Sequence, residues 1–79
     1  MTVIVSLAEM APGQTGIVIS LEGGHGMMRR LAAMGLHRGA AVTKTSTQPF
    51  RGPISVQVGN TEVAMGFGLA RRVMVEVPG

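Results

Sequence analysis

The 79-residue sequence contains no cysteine. This absence excludes a disulfide framework, a zinc site with thiolate ligands and catalysis by a thiol nucleophile. It is also typical of a reducing compartment. The first ten residues, MTVIVSLAEM, have no basic n-region, and Ser6 and Glu9 interrupt their apolar run. They predict neither a signal peptide nor a membrane span, so we expect a cytoplasmic protein that does not cross the membrane.

Aromatic residues are almost absent, since Phe50 and Phe67 are the only ones. Proteins that bind single-stranded nucleic acid stack bases on aromatic side chains, and grooves for proline-rich peptides have an aromatic floor. The net charge of +3 is ordinary for a small domain. A small basic nucleic-acid binder stays a hypothesis to be tested by the salt dependence of binding, but we expect no nucleic-acid partner.

Catalytic patterns are also lacking. The four glutamates are separated along the chain, and the glycine-rich segment GGHG at 23–26 matches neither the P-loop nor the dinucleotide-binding spacing. We therefore expect no enzyme activity and no cofactor. His25 and His37 are weak candidates for metal ligands, because they flank a predicted two-turn helix and would lie on the order of 15 Å apart.

Short strands separated by glycine and proline account for most of the chain. The pattern predicts strands in TGIVISL, with Ile17, Ile19 and Leu21 on one face, and at 41–47, 54–58, 61–65 and 73–77. Gly59-Asn60 predicts a hairpin turn. Residues 1–79 are thus expected to form a single, mainly β domain, a small five-stranded barrel with one short α-helix.

That helix is predicted at Met27 to Met34, with Met27, Leu31 and Met34 facing the core. Gly35 is expected to end it in the left-handed conformation, followed by an inward Leu36. Ser6 and Glu9 form a capping-box pattern before Pro12. The expected core is Leu7, Ile17, Ile19, Leu31, Leu36, Val42, Val56, Val63 and Val75.

The outer side of this helix is the candidate functional surface. Small alanines allow close approach, arginines offer directed hydrogen bonds to carboxylate or phosphate, and an exposed methionine gives adaptable apolar contact. A docking site at Phe50 or Phe67 is the alternative. The predicted partner-binding residues are Met28, Arg29, Arg30, Ala32, His37 and Arg38.

The sequence resembles the ferrous iron transport protein A (FeoA) family over nearly its whole length. The similarity lies in SLAEMAPGQTGIVISLEG, RRLAAMGLHRGAAV, ISVQVGNTEVAMG and ARRVMVEV. The central pattern Arg-Leu-x-x-Met-Gly-Leu-x-x-Gly matches at 30–39, and the Leu-x-x-Met-x-Pro-Gly start matches at 7–13.

This resemblance implies an SH3-like barrel with the short helix laid across it. It also implies a small cytoplasmic accessory protein of ferrous iron uptake, which binds the cytosolic, GTP-binding part of the FeoB iron transporter. Similar domains form the C-terminal part of iron-dependent repressors. The alternative function is therefore a module of that kind that binds or senses a transition metal. The oligomeric state is left open.

Overall fold

The computed structural model describes residues 1–47 and 52–79. Six strands and two helices follow one another: β1 (Thr2–Ser6), β2 (Thr15–Leu21), α1 (His25–Ala33), β3 (Ala41–Thr47), β4 (Ile54–Val58), β5 (Thr61–Met65), α2 (Phe67–Ala70) and β6 (Val73–Pro78). The mainly β architecture with one short helix at the predicted place is confirmed. The structure has six strands, whereas five were expected, and the additional strand is β1.

All strand pairs are antiparallel, and the strand order is β1-β6-β2-β3-β4-β5. Strands β1 and β5 are therefore the outer strands, and no pairing between them closes the sheet among the described residues. The hairpin at Gly59-Asn60 is confirmed, with Val58 paired to Thr61 and Gly59 at φ 59°.

The predicted capping box forms directly after β1. The backbone N–H of Ser6 donates to Glu9 Oε1 at 3.0 Å, and the N–H of Glu9 donates to Ser6 Oγ at 3.3 Å. Hydrogen bonds to Glu9 from the Ser6 backbone and then from its side chain lower the pKa of this carboxyl group. The turn carries Leu7 and Met10 into the core, where both are buried.

The predicted inward face of β2 is wrong. Ile17 is 43% exposed and Ile19 is half-buried, whereas Val18 is fully buried. The inward face starts at Gly16, where a Cβ would collide with Val75 and would lie 2.7 Å from the backbone oxygen of residue 76. The register with β6 then shifts between residues 18 and 20, which ends the simple alternation. Every other expected core residue is buried as predicted: Leu7, Leu31, Leu36, Val42, Val56, Val63 and Val75.

The first helix begins at His25, two residues before its predicted start, and its last helical residue is Ala33, one residue before the predicted Met34. Gly24 is the N-cap, and Met34 is the C-cap. The N–H of Gly35 donates to Ala32 O at 2.9 Å, and the N–H of Leu36 donates to Leu31 O at 2.8 Å. With Gly35 at φ 90°, these bonds form a Schellman motif. The helix terminator is thus confirmed, and Leu36 is buried beside Leu31.

Lys44 is a buried charge that the sequence reading missed. Its side chain is 1% exposed, and Nζ donates to the carbonyl oxygens of Leu7 at 2.8 Å and Ala8 at 3.0 Å. Burial lowers the pKa of the Lys44 ammonium group. Because Val42 and Lys44 are two residues apart on β3, alternation alone would have placed both on the inner face.

Candidate functional site: a groove beside the first helix

A surface groove of about 400 Å³ runs along one side of α1. The end of β2 and the turn after α1 form its other wall. Five of the six predicted partner-binding residues line it. The described residues that line it are Ser20, Leu21, His25, Met28, Arg29, Ala32, His37 and Arg38.

The helix presents this surface because its opposite side is anchored in the core. Leu31 is buried, while Met27 and Met34 are half-buried against the same cluster. Residues 28 and 29 lie on the adjoining side of the helix, and residue 32 follows them one helical turn later. Met28 is 39% exposed, which is high for a large apolar side chain in a small domain.

The turn after the helix brings its residues back towards β2. The left-handed Gly35 reverses the chain, and Gly39, at φ 92°, donates its N–H to Val18 O at 2.7 Å. His37 Nδ1 lies 3.1 Å from the carbonyl oxygen of Arg38. The two backbone reversals therefore hold His37 and Arg38 beside the same groove as Arg29.

Two arginines give the groove its positive charge. Arg29 and Arg38 are both exposed, and neither is paired with a carboxylate in the described part of the chain. Guanidinium groups bind carboxylate and phosphate oxygens through paired hydrogen bonds. Leu21 and Met28 add apolar surface to the same lining. This combination suits a partner segment that has acidic and apolar side chains close together.

Arg30 lies away from the groove. It lines a separate depression of about 390 Å³ with Met27, Leu31, Ala33, Met34 and Leu69. The predicted partner-binding residues thus fall on two sides of α1. Ser20 and Leu21 are lining residues that the sequence reading did not find, because it assigned the wrong phase to β2.

His25 and His37 both line the groove, although they lie near opposite ends of the helix. Across residues 1–47 and 52–79, no three histidine, aspartate, glutamate or cysteine side chains are grouped so that they could hold a metal ion. The two histidines are therefore part of the groove wall.

A model of the FeoA domain matches residues 5–77. The chain belongs to the FeoA domain family. The resemblance found in the sequence is thereby confirmed, together with the mainly β, SH3-like fold that it implied. No described helix in this FeoA-family chain is long and apolar enough to cross a membrane.

Two relatives extend this assignment. A Methanocaldococcus jannaschii protein named Fe(2+) transport protein A is 34% identical over 70 residues, covering 89% of this chain and 83% of that protein. The crystal structure of an iron uptake regulatory protein, FeoA, has a TM-score of 0.87 at 43% identity and covers 95% of this chain and 100% of its own.

A manganese-dependent transcriptional repressor has a TM-score of 0.86 at 23% identity. It covers 99% of this chain, which corresponds to only 44% of the repressor. At this identity the likeness shows a shared fold alone.

The alternative docking site was predicted at Phe50 or Phe67. Phe50 lies outside the described residues. Phe67 begins α2 and is half-buried against the core. It also lines a shallow depression with Ser6, Ala8, Glu9, Arg71 and Met74.

Proposed function

We propose that this FeoA-family chain is a cytoplasmic accessory protein of ferrous iron uptake. It acts by binding the cytosolic, GTP-binding part of a FeoB-like iron transporter and has no enzyme activity of its own. The family match over residues 5–77 supports the role in iron uptake. The positively charged, partly apolar groove beside α1 is the observation that supports a binding mode of action.

The proposed contact surface is the groove, with Arg29 and Arg38 as its polar anchors. Arginine is common among interface residues that contribute most to affinity, because one guanidinium makes several directed hydrogen bonds. Met28 adapts its shape to an apolar partner side chain, and Ala32 leaves room for close approach. Arg30, on the other side of α1, belongs to the contact only if the partner wraps over the helix.

The test measures binding of the purified chain to the cytosolic part of a FeoB-like transporter by titration calorimetry. Loss of one well-buried arginine contact costs about 2 kcal/mol, so Arg29→Glu should weaken binding more than tenfold. Arg38→Glu should have a similar effect. Arg72→Glu is the matched control, because Arg72 is exposed on a different depression beside Glu22.

Arg30→Glu reports the extent of the surface, since it changes the same charge on the neighbouring residue. Each variant is checked for unchanged thermal unfolding, and ferrous iron uptake is measured in cells that carry it. Binding and uptake that survive Arg29→Glu and Arg38→Glu together would place the contact elsewhere. No binding by the wild-type chain would contradict the proposed function itself.

A further inference from the structure

The outer strand β1 is unusually apolar for a free sheet edge. Its sequence TVIVS has no charged residue and no proline, and its register with β6 is continuous without a bulge. Exposed edge strands normally carry a charged residue, a proline or a bulge, because each of these prevents pairing with other chains. The other outer strand, β5, does carry a charge at Glu62.

Exposed apolar side chains are concentrated at this edge. Three of the five large hydrophobic residues that are exposed in the described structure are Met1, Val3 and Ile4. Val3 is 45% exposed and Ile4 is 57% exposed. The apolar surface therefore coincides with the strand whose backbone has a free side.

Hydrogen bonds at the two ends of β1 show which of its residues direct their backbone groups towards β6 and which direct them away. The N–H of Leu7 donates to Val73 O, and the N–H of Gly79 donates to Met1 O, each at 2.9 Å. Because antiparallel pairs alternate, Val3 and Val5 face β6, whereas the backbone groups of Thr2 and Ile4 face away from the sheet. The next outward position, Ser6, is already bonded to Glu9.

We propose that β1 pairs antiparallel with β1 of a second copy of this chain, with the two-fold axis at Val3. In this register Thr2 of each copy lies opposite Ile4 of the other. Each of these two pairs exchanges two backbone hydrogen bonds, so all the outward N–H and C=O groups of Thr2 and Ile4 are satisfied. Val3 then lies directly opposite Val3 of the second copy, and its exposed side chain is covered.

Self-complementarity favours a second copy as the occupant. A two-fold centred on Ile4 would instead place Thr2 opposite Ser6, whose backbone groups are already engaged. The strand has no charge that would repel its own copy. β-Branched residues pack well across such a pair.

The pairing covers one short strand, so the dimer is weak. Its buried area falls below the range of standard stable interfaces, and we expect a dissociation constant on the order of 10 µM to 1 mM. None of the residues lining the groove belongs to β1. Dimerisation and partner binding can therefore fail or succeed independently.

Cysteine cross-linking tests the register, and the chain offers a clean background because it has no cysteine of its own. Val3→Cys should give a disulfide-linked dimer under mild oxidation, because Cα atoms of a directly opposed pair without hydrogen bonds are about 4.5 Å apart. Ile4→Cys is the matched control on the same strand. Its diagonal separation from the second copy of about 7–8 Å is too long for a disulfide.

Proline substitution tests the backbone pairing. Ile4→Pro removes an N–H that faces away from β6 and has no partner among residues 1–47 and 52–79, so the fold should persist while two of the four bonds between copies are lost. In sedimentation equilibrium the dissociation constant should rise at least about tenfold, whereas Ile4→Val should leave it unchanged.

Several results would overturn the proposal. These are a wild-type chain that stays monomeric at millimolar concentration, cross-linking of Ile4→Cys as fast as that of Val3→Cys, and a dimer that Ile4→Pro does not weaken. A wild-type monomer whose β1 instead pairs with the transporter's cytosolic part would also overturn it, in favour of strand addition by the partner.

Discussion

Lys44 offers a direct measurement of what a buried ammonium group costs this fold. It is the only lysine in the chain, which also has neither tyrosine nor cysteine. Arginine side chains stay protonated in this range, so between pH 9 and 11 Lys44 is the only side chain that changes charge. Any change in the free energy of unfolding over that range therefore reports this residue.

The sign of the effect follows from the lowered pKa of Lys44, whose ordinary value is 10.5. Between the folded and the unfolded pKa the unfolded chain binds the proton and the native chain does not. The free energy of unfolding therefore rises with pH in that window, by up to about 1.4 kcal/mol per pH unit, and levels off above the unfolded pKa. The neutral amine keeps two N–H donors, one for each of the carbonyl groups of Leu7 and Ala8.

Urea unfolding, followed by far-UV circular dichroism at intervals from pH 9 to 11, measures this slope. Lys44→Met fills the same space without a titrating group and should be flat across the range. At neutral pH it should be less stable by about 1–3 kcal/mol, because the buried carbonyl of Leu7 loses its donor. A wild-type stability that falls from pH 9 to 10.5, or that changes equally in Lys44→Met, would refute the reasoning.

Three further substitutions test the packing. Gly35→Val should lower the free energy of unfolding by more than about 1 kcal/mol, because a branched residue is strained at φ 90° and its Cβ would lie 3.0 Å from Val58. Equal stability of the variant and the wild type would show that the left-handed glycine is not needed to end α1. Leu31→Ala should lower the free energy of unfolding by about 2–5 kcal/mol in chemical denaturation. The total for a domain of this size is about 5 kcal/mol, so partial unfolding at room temperature is expected. Gly16→Ala should prevent normal packing of β2 on β6, which would appear as a large drop in melting temperature; a native melting temperature would show that the strands can separate at little cost.

Local signals predicted the parts of the fold that local chemistry determines. The end of α1 at Gly35-Leu36, the capping box at Ser6 and the hairpin at Gly59 each depend on residues within a few positions of one another. The inward face of β2 does not depend on neighbouring residues alone. The segment 17–19 is apolar at every position, so its sequence is compatible with either phase.

The phase of β2 is decided by a contact with a strand more than fifty residues away. Gly16 lies where Val75 and Val77 approach too closely for any side chain, so the inner face must begin at that glycine. Strand β1 was missed for a related reason. Its apolar residues are exposed at the edge, so they give no alternation between a buried and a solvated face.

The candidate groove depends both on local sequence signals and on contacts between distant strands. Residues 28, 29 and 32 were found because the helical period places them away from Leu31. Ser20 and Leu21 line the groove from the end of β2, beyond the shift in its register with β6, and no pattern in the chain predicts that shift. Sequence reasoning could therefore find the helical wall and the turn, but not the strand that faces them.

The short helix and its glycine stop form one structural unit with the groove. The Schellman motif closes α1 after nine residues and turns Leu36 inward beside Leu31. The same reversal carries His37 and Arg38 outward to the side on which Arg29 lies. A longer helix would carry residues 37 and 38 onward along its axis, away from the end of β2. The helix stop at Gly35 thus allows Leu36 to join the core cluster and Arg38 to line the same groove as Arg29.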